Sequence, residues 1–256
     1  MWVDTHCHID AVEFDPDRAD VIAASLSAGL THLVIPAVER ANFGAVTSVC
    51  REFSCCRPAY GIHPMYVDRA IGEDIDALHM LVANEHPVAI GEIGLDYFVE
   101  PRDLVRQQIF FAAQLTIARN FELPVLLHIR HAVDAVLKQL RHTRVPGGIA
   151  HAFNGSRQQA DEFLKLGFKL GFGGTMTYPR ATRIRELAST LPLESIVLET
   201  DAPDLPPEWR AGKRNSPDQL PRIAQTLADL RGISLEQVAQ ATRQNAAHAL
   251  PRLLIH

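Results

Sequence analysis

The sequence has little cysteine, no excess of basic charge and no long apolar run, and each shortage removes a class of protein. Its four cysteines, Cys7, Cys50, Cys55 and Cys56, show no metal-finger spacing. Cys55 and Cys56 are neighbours, a poor geometry for a mutual disulfide, so reduced thiols are expected, as in a cytosolic protein. Net charge is −5, so the molecule as a whole is no electrostatic match for nucleic acid, and a polyanion would have to be held at a local site. No basic groove or aromatic stacking track is visible. No apolar run approaches the length of a membrane span, and the first residues lack the basic stretch and apolar run of a signal peptide. A cytoplasmic protein is therefore expected, with no membrane role and no obligatory protein partner. Internal repeats, low-complexity tracts and linkers are absent too.

What is present begins at Asp4-Thr5-His6-Cys7-His8. Residues two apart in a strand share a face, so His6 and His8 point one way, with Asp4 behind them, and Cys7 the other. Alone, the pair is a weak signal in a chain with twelve histidines. It gains weight only if the rest of the chain brings more ligands to the same place.

A length of 256 residues with 47% hydrophobic and 21% charged content suits one domain, 1–256, with a large core. After the first strand, a helix opens at Asp15-Pro16-Asp17, runs to about Ala28 and stops at Gly29. Strand Thr31 to Ile35 leads to a helix from about Arg40 to Phe53, and strand Ala59 to Ile62 ends at His63-Pro64. A helix carrying Ile75, Leu78, Leu81 and Val82 precedes strand Pro87 to Glu92. The clearest amphipathic stripe is Leu104, Gln108, Phe111, Leu115 and Ala118, with Gln108 its one polar member. Strand Leu123 to His128, a helix over Ala132 to Arg141, strand Gly147 to His151 and a helix from Ser156 to Leu166 follow. The last units are strand Phe168 to Phe172, a helix near Arg183 to Ser189, and strand Ile196 to Asp201. A proline-rich loop then runs from Ala202 to Pro217; a connection of that length, leaving from Asp201, is expected to contact substrate or act as a lid. Ser234 with Gln237 reads as a capping box.

Eight short strands alternating with helices predict an α/β fold, a closed (β/α)8 TIM barrel. A doubly wound sheet is the alternative, but no Gly-x-Gly-x-x-Gly turn follows the first strand. In a barrel the C-terminal strand ends meet at one face. His6, His8, Glu92, His128, His151 and Asp201 all stand at such ends, on strands one, four, five, six and eight. One tetrahedral catalytic ion cannot use six ligands and keep an open position, whereas two ions sharing a bridge can. A carboxylate bridges and a neutral imidazole does not, which selects Glu92, between the first strand and strands five and six. The resulting assignment gives His6, His8 and Asp201 to one ion, His128 and His151 to the other, and Glu92 to both. Ions roughly 3.5–4 Å apart clamp the attacking and leaving oxygens of a displacement. Two dications, two carboxylates and a bridging hydroxide leave about one positive charge, suited to a phosphodiester, and Asp201 is placed to take the proton of the attacking water.

The ordered motifs Asp4-Thr5-His6-Cys7-His8, Gly61-Ile62-His63-Pro64, Gly91-Glu92-Ile93-Gly94-Leu95-Asp96, Leu127-His128-Ile129-Arg130, His151-Ala152-Phe153-Asn154-Gly155 and Glu199-Thr200-Asp201-Ala202-Pro203 make the sequence resemble the TatD family of metal-dependent hydrolases. That family lies within the amidohydrolase superfamily, and the nearest likeness is to its YjjV-like branch. Arg214-Asn215-Ser216-Pro217 and Asn245 extend the resemblance over nearly the whole chain. It implies a barrel, two divalent ions, phosphodiester hydrolysis as a deoxyribonuclease, metal binding by the same six residues and a functional role for His63. Asn154-Gly155-Ser156 stands where the family more often has Ser-Gly-Ser. The candidate ions are zinc, manganese or magnesium; four imidazoles suit zinc, manganese, iron or nickel better than oxygen-seeking magnesium. His63, held extended by Pro64, is expected behind the ligands or at a substrate phosphate, and Arg130 on the His128 strand face at a phosphate or in a surface salt bridge. His32, His79, His86, His131, His142 and His248 are read as structural.

Three functions compete: a two-metal phosphodiesterase cutting DNA from a strand end; an amide, ester or lactone hydrolase of the wider superfamily; and a metal-binding interaction protein. Fold and metals alone do not choose between the first two. The third is weakest, because surplus ligands round an open mouth suit catalysis better than storage.

Overall fold

The computed structural model describes residues 1–100 and 103–253. Positions 101–102 and 254–256, inside the span read as one domain, lie outside the described residues. The strands are β1 (Trp2–Asp4), β2 (Leu30–Pro36), β3 (Cys56–Tyr60), β4 (Ala89–Asp96), β5 (Val125–Arg130), β6 (Gly148–Ala150), β7 (Phe168–Phe172) and β8 (Ile196–Leu198). They pair in sequence order, every ladder parallel. Closure comes from backbone bonds beyond the last strand: Thr5 N–H donates to the Leu198 carbonyl (3.1 Å), Asp201 N–H to that of His6 (2.9 Å) and His8 N–H to that of Ala202 (2.8 Å). The molecule is the (β/α)8 barrel that the alternation predicted.

Outside the strands lie α1 (Arg18–Ser27), α2 (Phe43–Glu52), α3 (Gly72–Glu85), α4 (Leu104–Asn120), α5 (Val133–His142), α6 (Arg157–Lys165), α7 (Thr182–Thr190), α8 (Leu220–Arg231) and α9 (Leu235–Ala249). Gly29 ends the first helical turn-out at φ +91°, the left-handed conformation expected of it. Ser156 and Ser234 cap α6 and α9 in reciprocal boxes with Gln159 and Gln237. No helix among the described residues is long and apolar enough to cross a membrane.

Strand alternation sorts the core into two layers. Val3, Val34, Ala59, Ala89, Leu126, Ile149 and Val197 come from seven different strands yet form one buried cluster, joined by Ala246, Ala249, Leu250 and Leu253. Only the barrel interior can collect one residue from each of seven strands, so α9 and the turn after it plug the bottom. Their strand neighbours, including Leu33, Ile90, Leu127, Leu170 and Ile196, pack outward in the larger cluster. Inward positions two residues beyond Leu126, Ile149 and Val197 are His128, His151 and Glu199.

Two departures from the sequence reading matter. Strand β4 does not end at Glu92; it continues to Asp96, and its register against β5 shifts between Ile90 and Ile93. Ile90 and Ile93 both face the helices, so the extra residue between them turns Glu92, Gly94 and Asp96 inward, the usual effect of a bulge. The α4 stripe is also redrawn. Phe111, Leu115 and Ala118 are buried as expected, but Leu104 is exposed, and the buried polar residues are Gln107 and Gln114. Gln114 accepts from Ile62 N–H (2.7 Å) and donates to its carbonyl (3.0 Å). Gln107 does the same at Asp96, at 2.9 and 3.0 Å. The β3–β4 ladder covers only Ala59 with Ala89 and Tyr60 with Ile90, so backbone groups past it need these amides as partners.

Candidate metal centre at the C-terminal mouth

The six residues expected at strand ends do meet at one mouth. Past Asp4 the chain leaves the ladder, and His6 Nε2 comes within 3.2 Å of His8 Nε2. Glu92 Oε2 lies 3.2 Å from His6 Nε2 and 3.7 Å from His8 Nε2, and Asp201 Oδ1 lies 3.6 Å from each. On the other side, Glu92 Oε1 is 3.0 Å from His128 Nδ1 and 3.6 Å from His63 Nε2. The two oxygens of Glu92 therefore face two separate groups of donors. His151 stands with the first of them: its ring stacks on His6 at 3.7 Å, and its Nε2 is 3.6 Å from Asp201 Oδ2. It sits nearer the His6 side than the sequence partition put it.

Two carboxylates went unassigned in the sequence. Asp96 Oδ2 lies 2.9 Å from His128 Nε2, and Glu199 Oε1 lies 2.9 Å from His151 Nδ1. The Asp96 contact turns His128 Nε2 outward and Nδ1 toward Glu92, the arrangement by which carboxylates orient imidazoles in metal sites, while Glu199 lies against His151 Nδ1 without a hydrogen bond. Strand parity gives Glu199, two residues before Asp201. Asp96 was hidden because β4 looked finished at Glu92. Gly171 makes room for Glu199, since a Cβ there would overlap its Oε2.

His63 differs from the other histidines. Its Nδ1 accepts from Met65 N–H at 3.1 Å, which puts its proton on Nε2, facing Glu92. A protonated nitrogen donates but does not ligate. Asp4 also has a different task from the histidines it precedes. It accepts from His6 N–H, Thr200 N–H and the Thr200 hydroxyl at 3.2, 3.0 and 2.6 Å, tying β1 to β8, while burial pushes its carboxyl up to about 7. Cys7 belongs to the outer core, its Sγ 3.7 Å from the Ala202 carbonyl.

Burial alone would raise the carboxyls of Glu92 and Asp201. His6 and His63 beside Glu92, and His151 and His6 beside Asp201, hold them below the ordinary range instead. Burial depresses His6, reinforced by His151, and depresses His63 to about 4, reinforced by His128. Burial works against His128 and His151 as well, but Asp96 and Glu92 raise the first, and Glu199 and Asp201 the second. Asp201 (φ +56°), Ala152 (φ +43°) and His131 (φ +55°) hold left-handed backbone at the rim, strain of the kind that collects at functional sites.

The donor set fits a metal ion. Bonds of about 2.0–2.2 Å give a tetrahedron edges of about 3.3–3.6 Å, and the donors round His6, His8, Glu92 and Asp201 are 3.2–3.7 Å apart. Three overlapping triads bring donor atoms together: His6 with Glu92 and His151, His6 with His8 and Asp201, and His63 with Glu92 and His128, the last with His63 Nε2–H as a donor rather than a ligand. Above them opens a cavity of about 1460 Å³, whose wall includes Arg130, His131, Tyr66 and, from the long loop, Pro203, Asp204 and Leu205. Only the start of that loop reaches the mouth. Further along, Trp209 donates to Gln219 (2.9 Å) and Asn215 donates to the Thr200 carbonyl (2.8 Å), pinning the rest to the body. Arg130 is exposed and lies over the Phe98 ring at 3.9 Å. His131, read as structural, also faces this cavity.

A parallel eight-stranded barrel with imidazoles and carboxylates gathered at its C-terminal mouth defines a metal-dependent hydrolase of the barrel type. Residues 3–251 match the family model described as TatD related DNase, and the chain belongs to the TatD family. It is 37% identical over 247 residues to the uncharacterized metal-dependent hydrolase YjjV of Escherichia coli (strain K12), covering 95% of each chain. It is 31% identical over 253 residues to the 3'-5' ssDNA/RNA exonuclease TatD of the same strain, covering 94% of this chain and 96% of that one. The crystal structure of YjjV superposes with a TM-score of 0.94 at 36% identity, covering 98% of both chains.

Proposed function

We propose that this chain is a two-metal phosphodiesterase that shortens single-stranded DNA from an end, working in the cytoplasm with the whole chain as one catalytic unit. The observation that carries the reading is Glu92, whose two oxygens face different donor groups. In this reading His6, His8 and Asp201 would hold one divalent ion, His128 and His151 the other, and Glu92 would be shared by both. Zinc or manganese suits these nitrogens better than magnesium. Two such ions would supply the charge that acidifies an attacking water and steadies the leaving oxygen. Asp201 takes the proton of that water; its carboxyl, held low by the histidines, is ionised and ready. His63 Nε2–H faces Glu92 Oε1 at 3.6 Å, and Arg130 meets a phosphate at the rim. Asp96 would hold the His128 ring with Nδ1 turned inward, and Glu199 would flank His151 Nδ1.

The extra carboxylates change the charge balance drawn from sequence. Glu92, Asp201, Asp96 and Glu199 together cancel two dications, and a bridging hydroxide would leave the centre with about one negative charge. Attraction for a phosphodiester then has to come from the arginines of the rim. The test is a metal-defined activity screen offering single-stranded DNA and RNA beside small amides, esters and lactones. Cleavage of the nucleic acid is expected with manganese or zinc. Turnover of an amide, ester or lactone without phosphodiester cleavage would replace this reading with the superfamily's other chemistry.

A further inference from the structure

The cavity over the metal centre is walled by opposite charges. On the β1 and β8 side stand Asp10, Glu13 and Asp204; on the β5 to β7 side stand Arg130 and Arg183. The one carboxylate on the basic side, Asp134, accepts from Gln159 at 2.9 Å. The cavity also has a branch. A groove of about 650 Å³, lined by Tyr178, Arg180 and Arg183, shares His131, Asn154, Thr175, Arg183 and Ile184 with the main cavity. No carboxylate is among the described residues that line it. Arg180 and Arg183 are exposed and no carboxylate among the described residues pairs with either; Arg180 lies over the Tyr178 ring at 5.7 Å. Tyr178 is itself anchored, its hydroxyl donating to the Pro206 carbonyl at 3.1 Å. Small-molecule sites typically occupy about 300–1,000 Å³, so the main cavity of about 1460 Å³ with its branch has room for more than one nucleotide unit.

We propose that this groove is a phosphate-tracking subsite: the strand leaves the metal centre over β5 to β7, and Arg180 and Arg183 hold the phosphate next after the scissile one. The inference rests on the phosphodiesterase reading and gives it a direction and a minimum substrate, a single strand of three or more nucleotides. A centre without net positive charge cannot pull a polyanion in by itself, and the acidic wall turns it away from β1 and β8. Arginine suits the task, because its planar fork matches phosphate geometry and keeps its charge. Contacts of this kind position a strand without reading its bases.

The test measures cleavage of end-labelled oligothymidylates of two to six nucleotides by the metal-loaded enzyme, together with binding of the hexamer across a salt series. Wild-type kcat/KM is expected to climb about tenfold or more between the dinucleotide and the tetranucleotide. The double variant Arg180→Ala/Arg183→Ala should lose that climb, and its log–log salt slope should flatten by about 0.7, the value for one single-strand phosphate contact. Arg180→Lys/Arg183→Lys, which keeps the charges, should retain most of the slope. A wild-type enzyme indifferent to chain length, or an alanine variant that keeps both climb and slope, would overturn the subsite and leave the nuclease reading standing. Failure to cleave or bind a strand of any length would overturn both.

Discussion

Asp201 and His128 sit at opposite ends of the donor cluster and should fail in different ways. Asn at 201 keeps size and a carbonyl oxygen that can still reach an ion, but it loses the basicity needed to take a proton. General-base contributions are about 10²–10⁴-fold, so Asp201→Asn should lose turnover on that scale in single-turnover cleavage and gain nothing from added metal. His128→Ala removes a ligand and should be partly rescued by metal. Equal rescue of both would make Asp201 a ligand only and pass the proton to another group. Asp96 acts through His128. It also accepts from Phe98 and Val99 N–H at 2.8 and 3.0 Å, which Asn can still satisfy. Asp96→Asn should therefore leave the thermal midpoint near wild type but weaken the metal affinity of the His128 side by about 10–100-fold, read by competition with a chelating dye. Unchanged affinity would reduce the contact with His128 to packing.

Among the elements, α4 shows how a helix can finish what a strand ladder leaves open. Gln107 and Gln114, seven residues apart on one buried face, close on the backbone of Asp96 and Ile62. Their spacing reads as helical, but their amides look like flaws in an apolar stripe until the strand ends beside them are known. Gln114→Leu fills similar space and leaves Ile62 N–H and carbonyl unpaired in the core. Each such group costs about 1–3 kcal/mol, so a loss of about 2–6 kcal/mol is expected in urea unfolding. A neutral result would mean that water or a shifted backbone takes over both bonds. Strand β4 teaches the same point: its bulge aims Glu92 and Asp96 inward together, and no local pattern reveals a bulge whose partner strand lies more than thirty residues away.

Across the whole molecule, Glu92 is the residue whose loss should be felt by every ligand. Protein purified without chelator is expected to carry two ions per chain by elemental analysis, and Glu92→Ala should lower the content of both. Full activity with one ion bound would remove the bridge from the mechanism. A second test concerns the long loop, tied to the start of α1 where Arg214 meets both Asp17 oxygens at 2.8 and 2.6 Å. The hydrogen-bonded guanidinium lowers the Asp17 carboxyl. A carboxyl lowered on folding adds stability above its unfolded value, about 3.9, and loses it as pH falls through the folded value. Wild type should therefore exceed Arg214→Ala in thermal midpoint at neutral pH, with the gap closing in acid. A gap independent of pH would assign the effect to Arg214 packing over the Phe14 ring.

Read alone, the residues carried the barrel, because eight apolar runs alternating with helices leave few other ways to bury a parallel sheet. They carried the gathering of His6, His8, Glu92, His128, His151 and Asp201 as well, because parallel strands of one barrel end at one face. Period-two parity set Cys7 apart from its histidine neighbours. Tertiary structure alone decided the rest. Which oxygen of Glu92 faces which histidine depends on the β4 bulge against β5. The roles of Asp96 and Glu199 depend on contacts between different strands, and His63 became a donor only when Met65 N–H occupied its other nitrogen. The charge of the mouth could not be counted until those carboxylates were placed. Arg180 and Arg183, ordinary surface residues in the sequence, gained their meaning from the groove they share with the centre. Periodicity fixes which way a side chain leaves its own strand or helix; what it meets there is settled by the neighbours that the fold brings alongside.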